Sequence, residues 1–196
     1  MRTSRSLLCI IISTVLLFLG HGEAAVYADC SSFCNYNTAN GLSDNDVSCA
    51  LRDSYGFMWF GTSNGLNCFD GVSTVVYRDF GSGKRFFGNN VVTSLLEYNR
   101  DIFVGGTLGI SVFNRDTNRF SRFEKATKYG VLVSTTVQKM LKTRSGLIWI
   151  CTLGQGFFVY NPATGQLLQS SRYGGFVSDA VQTSDGIVYV LSLIHI

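Results

Sequence analysis

Apolar and polar residues alternate with a period of two in short runs along most of the chain, and turn-forming dipeptides separate the runs. In residues 47–53, Val47, Cys49 and Leu51 alternate with Ser48, Ala50 and Arg52, the pattern of a half-buried strand. Asn64-Gly65 and Asp70-Gly71 follow, dipeptides at which positive φ costs little and hairpins reverse. They predict a strand ending near Thr62, another over residues 66–69 and a third over residues 74–77. Together with residues 47–53, that makes four short antiparallel strands.

The unit recurs. Phe103 opens FVGGTLGISVFN, Trp149 opens WICTLGQGFFVYN, and Tyr189 opens a copy that keeps the pattern through Val190. The anchors Trp59, Phe103, Trp149 and Tyr189 are 44, 46 and 40 residues apart, and a valine stands twelve residues before each: Val47, Val91, Val137 and Val177. A constant inner offset with variable spacing means fixed strands and variable outer loops. Four strands per 40 to 50 residues is the signature of β-propeller blades. The expected fold is therefore all-β: about three and a half four-stranded antiparallel blades of an incomplete, seven-bladed propeller. The blades fall at about 41–80, 86–124, 131–170 and 174–190. Gly61 and Gly105 stand two residues after their anchors, where a neighbouring backbone comes close or a bulge sits, and Cys151 holds that place in the third copy. Gly65, Gly109 and Gly156 supply turns. Phe69-Asp70, Phe113-Asn114 and Tyr160-Asn161 end the third strands, and their aromatic rings are expected in the core between blades.

The two ends depart from the repeat. Arg2 and Arg5 precede an apolar run over residues 7–19, followed by Gly20 and small residues at Ala24, Ala25 and Ala28. This is the three-part layout of a secretory signal peptide over residues 1–28, cleaved after Ala24 or Ala28; an uncleaved anchor is the alternative. Residues 29–40 form an N-terminal segment in which FCNYNTAN is a candidate for the outer strand that closes a last blade. At the other end the repeat fails from Leu191, and LSLIHI resembles the translation of a sequencing adaptor. Residues 191–196 are accordingly expected to be non-native, with the gene continuing.

Composition fits a glycine-turned β array: 15% charged residues, 13% aromatic, 21 glycines and one proline. The net charge of +3 shrinks when Arg2 and Arg5 leave with the signal, too little to steer nucleic acid, and Lys84-Arg85 and residues 125–128 read as solvated loop charge. Five cysteines remain after cleavage, an odd number that leaves at least one free thiol. Cys49 and Cys151 occupy strand positions that other copies fill with Thr93 and Gly105, the places of buried unpaired thiols; Cys30 and Cys34 stand close enough in sequence to pair or to stay free. There is no Cys-x-x-Cys, and His21 and His195 sit at opposite ends, so no metal or other cofactor is expected.

NGLSDNDVSCALRDSYGFMWFGTSNGLNCFDG, residues 40–71, closely resembles the first blade of two-component regulator propellers, and the resemblance extends over roughly residues 33–190. The second copy lacks the Gly-x-x-Trp opening, having residues 99–101 and Phe103 there, and the third has Cys151 where glycine is usual. The resemblance implies the periplasmic sensor region of a hybrid two-component histidine kinase. In that family two propellers precede an immunoglobulin-like domain, a membrane helix and the kinase, and homodimers are usual. The implied ligand is a glycan-derived oligosaccharide, and the implied output is transcription through phosphorelay. No catalytic residue and no direct nucleic-acid contact are expected in these residues.

A propeller presents loops at the face of a rigid ring, and sugars are commonly held by aromatic stacking and by Asn, Asp, Arg and Tyr side chains. Tyr55, Asn99, Arg100 and Arg144, between first and second strands, are loop residues of the right kind, with ordinary solvent-facing turn chemistry as the alternative. The ligand-binding residues are thus left unassigned. An exported propeller enzyme, a lyase or a glycosidase, and a non-signalling interaction scaffold are the competing classes. Residues 53–59 have one residue too many, and no threonine before the Trp, for a sialidase Asp-box, and no clustered His and Glu suggest acid–base chemistry.

Overall fold

The computed structural model describes residues 35–79, 90–169 and 175–193. The signal segment, Cys30 and Cys34, Lys84-Arg85 and residues 194–196 lie outside them. Residues 36–193 belong to one compact unit.

Three four-stranded antiparallel sheets and a hairpin follow one another along the chain. Blade one is β1 (Val47–Arg52), β2 (Met58–Thr62), β3 (Gly65–Phe69) and β4 (Thr74–Tyr77). Blade two is β5 (Val92–Tyr98), β6 (Asp101–Gly106), β7 (Gly109–Asn114) and β8 (Arg119–Arg122). Blade three is β9 (Val137–Lys142), β10 (Ile148–Thr152), β11 (Phe157–Asn161) and β12 (Gln166–Gln169). β13 (Phe176–Gln182) and β14 (Val188–Leu193) pair as a two-stranded sheet. Each strand pairs with the next in sequence, the meander of propeller blades. The two-residue loop of the β2–β3 hairpin is Ser63-Asn64 rather than Asn64-Gly65: Gly65 already pairs with Thr62, at φ 129°.

Each innermost strand carries a bulge near its start, at Ser48, Thr93, Gln138 and Ser178 in β1, β5, β9 and β13. The register corrects the constant offset of twelve. Trp59 pairs with Leu51, but Phe103 pairs with Leu96, because blade two turns from first to second strand with fewer residues. The counterpart of Val47 is therefore Val92, not Val91, and the counterpart of Cys49 is Ser94, not Thr93. Burial agrees: Val92, Val137 and Val177 are all fully buried.

Those valines make the seam between blades. A Cβ added to Gly61 would lie 2.6 Å from Val92 Cγ1 and would also strike Cys49 Sγ; one added to Gly105 would lie 2.9 Å from Val137 Cγ1. Each glycine is thus bare so that the valine of the next blade can rest on its backbone. Cys151, in the third copy, is buried with Val177 and Ala180. Hydroxyls at the bulges reinforce the seam: Ser48 donates to the Val92 carbonyl, and Thr93 donates to the Val137 carbonyl at 2.5 Å. Further out, the anchor aromatics join the core. Trp59 packs with Val92, Ile102, Val104 and Phe113, and Phe103 with Ile148, Ile150, Phe158 and Tyr160.

One turn recurs between first and second strands. In residues 53–57, 143–147 and 183–187 a residue with a side-chain oxygen opens the turn, and a glycine three residues later takes φ between 82° and 94°. The linker turn at residues 127–131 is the same, with Gly130 at φ 80°. Thr38–Asn40 forms a 3-10 turn capped by the Asn37 and Asn40 side chains, which satisfy backbone amides. Tyr36 lies on blade one, 4.9 Å from Phe69 and 5.9 Å from Phe60 between ring centres.

Cys49, Cys68 and Cys151 are unpaired. Burial pushes the Cys151 thiol up to about 12 and the Cys68 thiol up to about 11, so neither is a thiolate at neutral pH.

Gly61→Ala is expected to destabilise the protein by about 1–3 kcal/mol through overpacking at the seam, read as a lower urea midpoint; an unchanged midpoint would contradict the seam.

Candidate functional site

The turns between first and second strands hold the densest polar cluster. Asp53 is fully buried, and its carboxylate accepts the amides of Tyr55 and Phe57 at 3.0 and 2.9 Å and the indole N–H of Trp59 at 2.8 Å. These are local bonds that fix the turn and hold the anchor ring.

Arg115, just beyond β7, reaches across from blade two. Its guanidinium pairs with Asp53 at 3.0 Å and with Glu97, the sixth residue of β5, at 2.7 Å. It also donates to the carbonyls of Asn99 and Arg100 at 2.8 and 3.0 Å. Glu97 in turn accepts the Ser54 amide at 2.9 Å and the Ser54 hydroxyl at 2.5 Å. Partial burial pushes the Glu97 carboxyl up, but the Ser54 and Arg115 hydrogen bonds and the Arg115 charge outweigh it and hold the group below its ordinary 4.5. No described buried side-chain nitrogen or oxygen lacks a partner.

The structure brings together three of the four loop residues singled out from the sequence. Tyr55 is 62% exposed and lies 4.4 Å over the Arg115 guanidinium. Asn99 takes the left-handed conformation, φ 55°, in the short turn of blade two. Arg100 pairs with Asp116 at 2.8 Å on the surface. Arg144 is held elsewhere, at the junction with the β13–β14 hairpin: its amide donates to Gln182 Oε1 at 2.9 Å and its guanidinium to the Ser184 carbonyl at 2.6 Å.

Arg144 to Gln182 repeats Ser54 to Glu97, since Glu97 and Gln182 hold the same place in their first strands. At the intervening junction Lys142 lies 5.2 Å over the Tyr98 ring. The position thus serves as a blade-to-blade tie throughout. Asp53, Glu97 and Arg115 were not legible as a cluster, because their contacts span up to 62 residues; the only local sign was an aspartate opening a glycine turn.

The other end of β2 carries a second buried network. Ser43 donates its amide to Asn67 Oδ1 at 2.8 Å and shares a hydrogen bond with Thr62 at 2.7 Å, while Arg78 donates to the Ser43 carbonyl at 3.0 Å. It ties the segment entering blade one to β2 and β3. Residues 41–64, which contain half of this network, match the family described as Two component regulator propeller.

Residues 41–64, with the first two strands of blade one, are similar to a two-component regulator propeller repeat.

A propeller fold extends over the rest of the described chain. The extracellular domain of BT3049 from B. thetaiotaomicron, described as a hybrid two component system, superposes with a TM-score of 0.69 at 23% identity, over 80% of this chain and 23% of its own. The extracellular domain of BT4673 from the same organism, described as a one component system, gives 0.59 at 26% identity, over 75% of this chain and 19% of its own. Virginiamycin B lyase from Staphylococcus aureus gives 0.57 at 12% identity, over 78% of this chain and 50% of its own, a likeness of fold alone. The chain thus spans less than a quarter of the two extracellular domains. No curated protein sequence matches it.

Among the described residues no helix is long and apolar enough to cross a membrane, and no three His, Cys, Asp or Glu side chains gather to hold a metal. Chemically, the Arg115 cluster is a saturated clasp: its charges face one another. What it offers to solvent is the Tyr55 ring and the Arg100 and Asp116 side chains.

Arg115→Met is expected to cost about 3 kcal/mol, because it leaves the buried Asp53 charge without its cation, whereas Arg100→Ala at the exposed pair leaves the urea midpoint unchanged. The lowered Glu97 carboxyl stabilises the fold at pH values above its ordinary 4.5 and loses that contribution as pH falls through the folded value. Glu97→Gln should therefore flatten the decline in unfolding midpoint below about pH 4.5; an unaltered pH profile would contradict the assignment.

Proposed function

We propose that this chain is part of the sensing region of a hybrid two-component receptor on the periplasmic side of the inner membrane. The observation that carries the reading is the regulator-propeller repeat over residues 41–64, joined to a fold shared with extracellular domains of two-component systems. The ligand in this reading is a glycan-derived oligosaccharide, met by exposed aromatic and polar loop residues of the kind Tyr55 and Arg100 represent. Further propeller blades, an immunoglobulin-like domain, a membrane helix and a kinase belong to the whole receptor, which acts as a homodimer.

The chain's part is rigid presentation rather than chemistry. The ligand must favour one arrangement of receptor domains over another, since equal affinity for both shifts nothing. A ring whose blades are tied by the seam and the Arg115 clasp transmits such a preference without dissipating it in local motion. The lyase likeness is one of fold alone, at 12% identity.

The test is calorimetric titration of the full receptor ectodomain with a panel of defined oligosaccharides. Saturable binding of one glycan class, without its cleavage, is the expected result. Turnover of any panel member, or no binding across the panel, would overturn the proposal.

A further inference from the structure

The connection from β8 to β9 does more than cross from one blade to the next. It takes residues 123–136, whereas residues 170–175 suffice between β12 and β13. Its middle is the turn at residues 127–131. Thr127 Oγ1 accepts the amides of Tyr129 and Val131 at 3.3 and 3.1 Å, the Thr127 carbonyl accepts the Gly130 amide at 2.9 Å, and Ala126 bridges Leu132 at the base. Two ties fix the turn to blade three. Thr127 bridges Leu167 of β12, and Gln155 accepts the Ser134 amide at 3.1 Å and donates to the Leu132 carbonyl at 3.2 Å. Since β12 is the outermost strand of its blade, the turn stands on the rim, where the blades of a ring do not pack on one another.

This pinned turn carries an aromatic ring that the fold does not use. The same place in the other three turns is held by Tyr55, Ser145 and Asp185, so the turn geometry asks for no ring. Tyr129 is 81% exposed, and the Lys128 ammonium lies 4.9 Å from its ring centre. Lys128 also lines a groove of about 410 Å³ between residues 126–128 and 165–168, a size that suits a small ligand. The groove adds the exposed Gln166 and Leu168, and none of its lining residues is acidic. Lys128 pairs with no carboxylate among the described residues. Over residues 122–132, Arg122, Lys125 and Lys128 are balanced by Glu124 alone.

We infer that this groove is a subsite for an acidic sugar, a uronate residue of an oligosaccharide. The C–H face of the pyranose packs on the open part of the Tyr129 ring, the carboxylate pairs with Lys128, and the Gln166 amide takes a hydroxyl. The one ammonium in the groove matches one carboxylate. Residues 125–128, which by sequence alone are solvated loop charge, thereby gain a partner. The inference rests on the glycan-sensing reading and narrows it to acidic glycans.

Calorimetric titration of the full receptor ectodomain with galacturonate and glucuronate trisaccharides, and with their methyl esters, tests it. The esters keep the rings and remove the charge. At least one uronate is expected to bind saturably, at least threefold tighter than its ester, and more weakly as salt rises. Tyr129→Ala should weaken that binding at least fivefold. Lys128→Gln should lower the affinity for the uronate to that for the ester and leave the ester's own unchanged. Both side chains are exposed, so neither variant should move the urea midpoint, and Tyr55→Ala should leave uronate binding unaltered. Equal affinity for uronate and ester, uronate binding indifferent to Tyr129→Ala and Lys128→Gln, or no uronate binding would overturn the inference. A neutral oligosaccharide bound in place of any uronate, independently of Tyr129, would overturn it while leaving the receptor reading intact; no glycan bound at all would remove both.

Discussion

The structure depends on one close approach, a valine at the start of an innermost strand resting on a small residue of the preceding blade, glycine at the first two seams and Cys151 at the third. Val92 on Gly61 and Val137 on Gly105 bring adjacent sheets near enough for the Ser48 and Thr93 hydroxyls to reach the valine carbonyls. The outer core follows from that spacing. With the inner strands in contact, the Trp59 and Phe103 anchors meet the facing apolar residues of the next blade, where a wider separation would leave voids. The bulges serve the same contact. They set the valine on the buried face while the rest of the strand keeps its alternation.

The repeat was readable from sequence because it is local: strand alternation, turn glycines and anchors all lie within one blade's length. The seam was only half readable. Gly61 and Gly105 stood out as glycines after an aromatic, but fixed spacing pointed to Val91, and only the register of Leu96 with Phe103 identifies Val92. Residue counting fails there because the turn of blade two is one residue shorter, which changes the count without changing the contact. The Ser63-Asn64 loop is the same lesson at smaller scale, since a glycine at positive φ can open a strand as well as occupy a turn.

The polar cluster was harder to read for a related reason. Tyr55, Asn99 and Arg100 were recognisable as loop residues, yet the side chain that gathers them, Arg115, lies beyond the third strand of another blade. Nothing in its neighbourhood marks it. Its partners explain why its charge is not free for a ligand: two carboxylates and two carbonyls already hold it. A sensing surface on this side must therefore use groups outside the clasp, and the clasp's own contribution is rigidity between blades one and two.

The most direct test of the seam is a double-mutant cycle at Gly105 and Val137. Gly105→Ala introduces a methyl that collides with Val137, and Val137→Ala removes the colliding atoms, so the two losses of stability should not add. A coupling energy of about 1 kcal/mol or more, with the double variant more stable than the sum of the single changes requires, is the result this account predicts. Strict additivity would mean that the two residues do not meet, and would contradict it.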